Sequence, residues 1–308
     1  MTLFAGIDGG QSSTIAVVAD ETGRVLARGR AGAADEVAQG AESTRLHDAL
    51  ARALANACAA AKIDSQTRFR AIVAGVSGYE GKVYGKWPEL GAEQLTLMHD
   101  APIAHSGAFA GGPGIVVIAG TGSVAYGVDS SDACVTVGGW GYLFGDEGSA
   151  FWLARETLAD AMCESDAEVE NDLVAPALAY FEMPSLRALA RAFYAGSIAR
   201  AKLAGFAVEI VRSAENGSQR AAQACREAAG ALATLAANAA SRLALQSPHV
   251  AFIGGLTSGA TMREAIARAV TERLPDAQVV QPQYDPAIGA LLLAYKSAGL
   301  DVRVVEEA

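Results

Sequence analysis

Short apolar runs broken by glycine and polar clusters open the chain. Leu3–Ile7, Ile15–Ala19 and Val25–Ala27 are β-prone, separated by Asp8-Gly9-Gly10-Gln11-Ser12-Ser13 and by Asp20-Glu21-Thr22-Gly23. This pattern predicts a strand, a glycine turn, a second strand, a hairpin and a third strand. Over residues 41–62 the stretch is alanine-rich, and Leu46, Leu50 and Leu54 recur at every fourth position. That spacing predicts an amphipathic helix. Ile72–Val76 and Leu95–Met98 predict further strands.

About 110 residues further on the opening pattern returns. Ile115–Ala119 predicts a strand, Gly120-Thr121-Gly122-Ser123 a glycine turn, Val124–Val128 a second strand, Asp129–Asp132 a turn and Cys134–Val137 a third strand. A recurrence of order without close identity predicts two related halves. Helical periodicity dominates from Phe151 to Leu245; Val250–Ile253 is expected as the last strand and Ala287–Ala298 as the closing helix. Gly111-Gly112-Pro113-Gly114 is a natural hinge. It divides the chain into a domain over 1–112, joined by a returning helix near 288–308, and a second domain over 113–287.

Residues 138–152 read Gly-Gly-Trp-Gly-Tyr-Leu-Phe-Gly-Asp-Glu-Gly-Ser-Ala-Phe-Trp. Glycine costs backbone entropy, so this density implies sharp turns or close approach to a ligand. A bare linker would not be punctuated by Trp140, Tyr142 and Phe144, which makes this a shaped binding loop. Asp146 and Glu147 fall at or just before the N-terminus of the helix that the apolar run from Ala150 predicts.

Composition narrows the class. Of the 308 residues 51% are hydrophobic and 19% charged, as in a compact globular protein long enough for two domains. A net charge of −10 argues against a nucleic-acid partner, which needs a basic face. It does not exclude small anionic ligands, because backbone amides and a metal can hold phosphate. Cys58, Cys134, Cys163 and Cys225 are scattered without a C-x-x-C pair, the pattern of buried free thiols in a reducing compartment. His47, His99, His105 and His249 lack metal-ligand spacing, and no role is assigned to them beyond the proximity of His99 to Asp100. No basic segment precedes an apolar one at the N-terminus. The longest apolar tract, Ala228–Ser241, has 14 residues, fewer than the ~20 of a membrane span. A cytoplasmic protein with no membrane partner is expected.

Two nucleotide motifs fail on inspection. Gly75 to Lys82 is one residue too long for a P-loop, and Val83 stands where a metal-binding hydroxyl is needed. Gly120–Ala125 matches a dinucleotide fingerprint, but the alternating Val124, Tyr126 and Val128 continue as strand where a helix is required. The two strand–turn–strand hairpins at Asp8–Thr14 and Gly120–Ser123 remain. Turn glycines expose successive N–H groups that form an anion-binding concavity, and Ser12, Thr121 and Ser123 add hydroxyls. Asp8 suits Mg²⁺ held through waters, or else braces its own turn.

Ile7-Asp8-Gly9-Gly10, Ala119-Gly-Thr-Gly-Ser123, Gly138-Gly-Trp-Gly141, Gly145-Asp-Glu-Gly-Ser-Ala150 and Ile253-Gly-Gly-Leu256 together resemble the actin-like sugar kinase superfamily. Within it the chain is similar to N-acetylglucosamine kinases and the related BadF/BadG-type ATPases. The resemblance spans positions 7 to 256, and the Trp-Gly loop followed by Gly-Asp-Glu-Gly-Ser is its most specific part. It implies an α/β fold of two actin-like (ribonuclease H-like) domains, each a mixed β-sheet flanked by helices, with an interdomain cleft. It implies ATP and Mg²⁺ as cofactors, and transfer to an amino-sugar hydroxyl: N-acetyl-D-glucosamine to its 6-phosphate, or glucosamine.

The resemblance also assigns roles. Gly9, Gly10, Gln11 and Ser12 become the first phosphate loop; Gly120, Thr121, Gly122 and Ser123 the second; and Gly254 and Gly255 pack against the adenosine. Asp100 falls where the family keeps its catalytic base. From the residues alone it reads as a helix N-cap, with Pro102 in the first turn. Sugar contacts are implied for Ser77, Asp100, Thr121, Gly139, Trp140, Gly141, Asp146 and Ala150. Core packing is the alternative for Trp140, and a helix-dipole acid the alternative for Asp146. The family's animal members carry an Asn-His pair in the loop after the third strand. Here residues 32–37 read Gly-Ala-Ala-Asp-Glu-Val, which puts Asp35 at the Asn position. A carboxylate there could pair with an amine, so glucosamine stands beside N-acetylglucosamine; otherwise Asp35 is an exposed loop acid.

Two other functions compete. One is an ATPase that activates a partner dehydratase or reductase, which in that branch relies on cysteines holding an iron–sulfur cluster; Cys134 and Cys163 lack the expected pairing. The other, a sugar-responsive repressor, would need a helix-turn-helix ahead of the first strand. A homodimer is the expected assembly, with an amino-sugar and ATP as the small-molecule partners.

Overall fold

The first sheet grows outward from β1 (Leu3–Gly9). It runs antiparallel to β2 (Thr14–Asp20), which pairs antiparallel with β3 (Val25–Ala31). After α1 (Arg45–Ala60), β4 (Ala71–Val76) and β5 (Leu95–His99) add in parallel on the other side of β1, giving the order β3-β2-β1-β4-β5. β1 and β4 are buried along nearly their whole length, which is why both read as continuous apolar runs without alternation. α1 turns Leu46, Leu50 and Leu54 inward, and packs so closely on β3 that a Cβ at Gly29 would run into the Ala53 carbonyl. The helix is shorter than the 41–62 expected, with Thr44 at its N-cap position and Ala61 at its C-cap. α2 (Asp100–Phe109) starts directly at the end of β5.

The second sheet repeats the plan. β6 (Gly114–Ala119), β7 (Ser123–Val128) and β8 (Cys134–Gly138) are followed by α3 (Ala150–Asp166), α4 (Val174–Phe181), α5 (Leu186–Tyr194), α6 (Arg200–Gly205), α7 (Ala207–Glu215) and α8 (Gln219–Arg242). β9 (His249–Ile253), α9 (Ala260–Arg273) and β10 (Gln278–Val280) complete it. The order β8-β7-β6-β9-β10 mirrors β3-β2-β1-β4-β5, with β7 antiparallel to β8, and β9 parallel to both β6 and β10. β9 is therefore not the last strand. β10 has only three residues, and Pro282 follows shortly after it, so it carries no alternation to read. The alanine-rich α8 is a core helix, burying Ala228, Ala229, Leu232, Ala233, Ala236 and Ala239.

The chain then returns to the first sheet as α10 (Pro286–Ser297), capped by the Asp285 side chain on the Ile288 N–H. α10 lies against β1 and α2 at backbone distance. A Cβ on Gly6 would meet the Ala287 carbonyl, one on Gly107 the Asp285 carbonyl at 2.5 Å, and one on Gly289 the Ile103 carbonyl. His105, on α2, is a core histidine that donates to the Gly114 carbonyl at 3.2 Å, and burial pushes it down to about 4.

This computed structural model describes residues 1–35, 40–64 and 66–306. It divides into Met1–Gly114 with Gln281–Ala308, and Ile115–Val280. Each unit is an α/β sandwich, a mixed five-stranded sheet flanked by helices. Among the described residues no helix is long and apolar enough to cross a membrane. Cys58 and Cys225 are buried, but Cys134 and Cys163 are exposed, which corrects the expectation of four buried thiols. Cys134 opens the edge strand β8, and Cys163 lies in the last turn of α3.

Candidate functional site

In the first unit the candidate residues converge on the ends of β1, β4 and β5. The chain leaves β1 at Asp8-Gly9 and turns sharply, with the Gly10 N–H donating to the Ser13 carbonyl at 3.0 Å. Two neighbouring loops are tied to this turn. Ser77 N–H donates to the Gly9 carbonyl at 2.9 Å, and Ala34 N–H to the Gly10 carbonyl at 3.0 Å. The Gln11 amide reaches the Ser77 hydroxyl at 3.5 Å. Ser12 is exposed at the tip. Asp8, Gly9, Gly10, Gln11, Ser12 and Ser77 thus form one cluster, with Asp35 next to the docked Ala34.

Asp35 itself pairs with the Arg45 guanidinium at 2.7 Å, at the start of α1. Glu36 and Val37, the remainder of the loop read as 32–37, lie outside the described residues.

The parallel register places Asp8 opposite Gly75 and Gly75 opposite Met98, so the chain leaving β5 carries Asp100 to the same edge. Asp100 is the first residue of α2, and His99 stands at the cap position, its Nδ1 3.1 Å from the Ala101 nitrogen. The N-cap reading of Asp100 is therefore off by one residue. The same Nδ1 lies 2.8 Å from Asp100 Oδ1. Burial, then the charges of Asp100 and of Asp285 at the α10 cap, push the Asp8 carboxyl up to about 7. Asp285 already pairs with the Arg28 guanidinium at 2.7 Å, so Asp8, desolvated, and Asp100 are the two carboxylates at this edge that favour an added cation.

That observation tests the fit of Mg²⁺. Among the described residues no three His, Cys, Asp or Glu side chains could hold a metal by themselves. Mg²⁺ does not need such a cage, since it keeps several waters and binds through one or two carboxylates plus substrate phosphates. Asp8 fits that mode.

In the second unit the Gly120–Ser123 turn has the same place between β6 and β7. Ser123 N–H donates to Asp146 Oδ1 at 3.2 Å, and the Ser123 hydroxyl donates to the Glu147 carbonyl at 2.7 Å. That hydroxyl faces inward, and Thr121 carries the half-buried hydroxyl of the turn. Gly254, at φ +113°, brings β9 against the same turn; a Cβ there would strike the Ala119 carbonyl. Gly255 follows, exposed, and opens a single turn of 3-10 helix.

The loop from Gly138 has a buried base and an exposed crest. Asp146 is buried, at φ +59°, and its second oxygen pairs with Arg200 at 2.7 Å. The Arg200 guanidinium in turn lies over the Tyr142 ring at 4.9 Å from its centroid. Burial raises the Asp146 carboxyl above the usual range despite the Ser123 N–H and Arg200, so it is a desolvated brace for the turn. Ser149 caps α3 through the Trp152 N–H, and Ala150 N–H donates to the Gly120 carbonyl at 2.9 Å. Gly139, Gly141 and Trp140 lie on the crest, and Trp140 is 76% exposed, so it does not pack in the core.

The structure thus gathers Asp8, Gly9, Gly10, Gln11, Ser12, Ser77 and Asp100 at one edge. It gathers Gly120, Thr121, Gly122, Ser123, Asp146, Ala150, Gly254 and Gly255 at the equivalent edge of the other unit. Sequence reasoning missed Asp285 and Arg200. An Asp before Pro286 signals a helix cap but not proximity to Asp8, and nothing local links Arg200 to a residue 54 positions away.

A model of the BadF/BadG/BcrA/BcrD ATPase family matches residues 5–294. An N-acetylmuramic acid/N-acetylglucosamine kinase of Clostridium acetobutylicum is 25% identical over 65% of this chain and 67% of its own. An N-acetyl-D-glucosamine kinase of Dictyostelium discoideum is 24% identical over 96% of this chain and 98% of its own. Among solved structures, a Chromobacterium violaceum protein provisionally described as an N-acetylglucosamine kinase superposes with a TM-score of 0.79. It is 26% identical, over 96% of this chain and 99% of that one.

Proposed function

Since the chain belongs to the BadF/BadG/BcrA/BcrD ATPase family, we propose that it is an ATP-dependent kinase of an amino-sugar hydroxyl. N-acetyl-D-glucosamine, at its 6-hydroxyl, is the acceptor we favour. The observation that carries this reading is the convergence of Asp8, the Gly9–Ser12 turn and Asp100 on one sheet edge. The curated relatives named as N-acetylglucosamine kinases support the choice of sugar.

Turn amides orient and neutralise the transferring phosphoryl group, where most of the rate acceleration resides. Mg²⁺, held by Asp8 through water, supplies charge neutralisation when bound. Asp100 accepts a hydrogen bond from the acceptor hydroxyl and takes its proton as the phosphoryl group arrives, a contribution of roughly 10²–10⁴-fold. The pairing of Asp35 with Arg45 removes the argument for a free amine at that position, because the carboxylate already faces a cation. This favours the N-acetylated sugar over glucosamine. Cytoplasmic location and a homodimer complete the reading, the latter checked by light scattering.

ADP release measured with N-acetylglucosamine, glucosamine, N-acetylmuramic acid and glucose tests the proposal. Sugar-stimulated turnover, highest with N-acetylglucosamine, is expected. ATP hydrolysis indifferent to all four sugars would favour the partner-activating ATPase. Asp100→Asn is expected to lower kcat by at least about 10²-fold while nucleotide still binds.

A further inference from the structure

His99 and Asp100 are adjacent in sequence, yet their contact is not a trivial consequence of adjacency. β5 ends at His99 and α2 starts at Asp100, so the imidazole sits at the helix N-terminus. Its Nδ1 faces two groups at once: the Ala101 N–H at 3.1 Å and Asp100 Oδ1 at 2.8 Å. One ring nitrogen cannot serve both. To accept from Ala101 it must present a lone pair; to approach a carboxylate oxygen this closely it must present a proton. Asp100 Oδ1 is shut off from solvent and has no other hydrogen-bond donor among the described residues. The proton that satisfies it comes from His99.

We propose that His99 is the positioning residue of the base: its Nδ1–H holds Asp100 Oδ1, leaving Oδ2 for the acceptor hydroxyl, so that transfer depends on the charge of the imidazole. The role of Asp100 in transfer rests on the kinase reading; the proton shared between the two side chains does not.

The surroundings concentrate this coupling. Asp100, first by hydrogen bond and then by charge, raises His99 above its ordinary 6.5 against the opposing effect of burial, and Glu80 adds to it. Of the elements packed on α2, β1 contributes Asp8 and α10 its cap Asp285, while β4 contributes no ionisable group. Asp285 is paired with Arg28 at 2.7 Å, which leaves Asp8 and Glu80 as the acids that act on the dyad, and His99, with a side chain 39% exposed, exchanges protons with water. An imidazolium beside Asp100 draws charge from the base, so transfer slows when His99 is protonated.

The test uses the full chain. Without substrates, the imidazole of His99 is titrated by nuclear magnetic resonance in the wild type and in Asp100→Asn. A midpoint above the ordinary value that falls toward it in the variant supports the proposal; an unchanged midpoint overturns it. With sugar and ATP, kcat is followed from pH 6 to 9 in the wild type and in His99→Asn, where asparagine is a favoured residue at a helix cap and does not titrate. The wild-type kcat is expected to rise on the order of tenfold across neutrality, as Brønsted behaviour requires, and the variant to lose that limb with KM unchanged. The same limb in His99→Asn overturns the proposal. Coupling seen by resonance without any sugar-dependent turnover would remove the kinase reading and leave the shared proton standing.

Discussion

Burial and two neighbouring carboxylates push Asp8 up to about 7, and this makes the residue costly to the empty protein. A carboxyl raised on folding binds its proton more tightly in the native state, so the cost is absent below its ordinary 3.8 and grows as pH rises toward 7. Above that the full penalty applies, up to roughly 4 kcal/mol for a shift of this size. Asp8→Asn removes it. Thermal melts at pH 3.5 and pH 8 are expected to show the ligand-free variant more stable than the wild type at pH 8, by roughly 1–3 kcal/mol, and nearly equal at pH 3.5, with about half of the gain present at pH 5.5. A variant less stable at pH 8 would show that Asp8 is structurally satisfied and not held under strain for a ligand. Phosphoryl transfer should be lost in the same variant, which is the trade expected where a site is strained for function.

At the scale of elements, periodicity made most of the molecule legible. β1, β2 and β4 are legible as continuous apolar runs, α1 by its fourfold leucine spacing, and the Gly turns at 10 and 120 fall where their strands pair. β10 escaped because three residues carry no period. The site was legible where backbone carries it, in the two turns. It was hidden where distant side chains meet, as in Asp146 with Arg200 or Asp8 with Asp285. Glycines that look like loop residues prove to be packing surfaces. Gly289, within α10, is one: a Cβ there would collide with the Ile103 carbonyl of α2. Helix propensity alone would favour Gly289→Ala by about 1 kcal/mol, but overpacking against backbone costs about 1–3 kcal/mol or more, and rigid backbone cannot yield as a side chain can. Net destabilisation of about 2 kcal/mol is expected in denaturant melts, with kcat reduced because α2 carries Asp100. Gly230→Ala in α8 is the control of opposite sign. The nearest atoms its Cβ would meet are the guanidinium end of Arg273, at 3.3 Å, which can move aside, so propensity should win. Equal effects at the two positions would refute the packing argument.

The whole chain is a continuous second unit, Ile115–Val280, inserted into a first unit whose last helix is supplied by the C-terminal segment. α10 buries Ile288, Leu291, Ala294 and Tyr295 at 1% exposure or less against the β1–β4 face, together with Phe4, Val17, Val73 and Ile103. At ~1.5–3 kcal/mol for each large apolar side chain buried, losing this helix removes an amount comparable to the 5–15 kcal/mol that holds a domain together. The second unit keeps its own core of β6, β7, α3, α7, α8 and α9. A chain ending at Val280 is therefore expected to lose the first unit while the second still melts cooperatively. Calorimetry should show one surviving transition, and hydrogen exchange should show β1, β2 and β4 unprotected while β6 and β9 stay protected. Uniform loss of protection across both units would mean that they do not fold independently. Protection retained in β1 would mean that its glycine-lined contact with α10 contributes little to stability. Either result would also bear on Asp8 and Asp100, because the β1-β4-β5 register that brings the two acids to one edge belongs to the sheet that α10 covers.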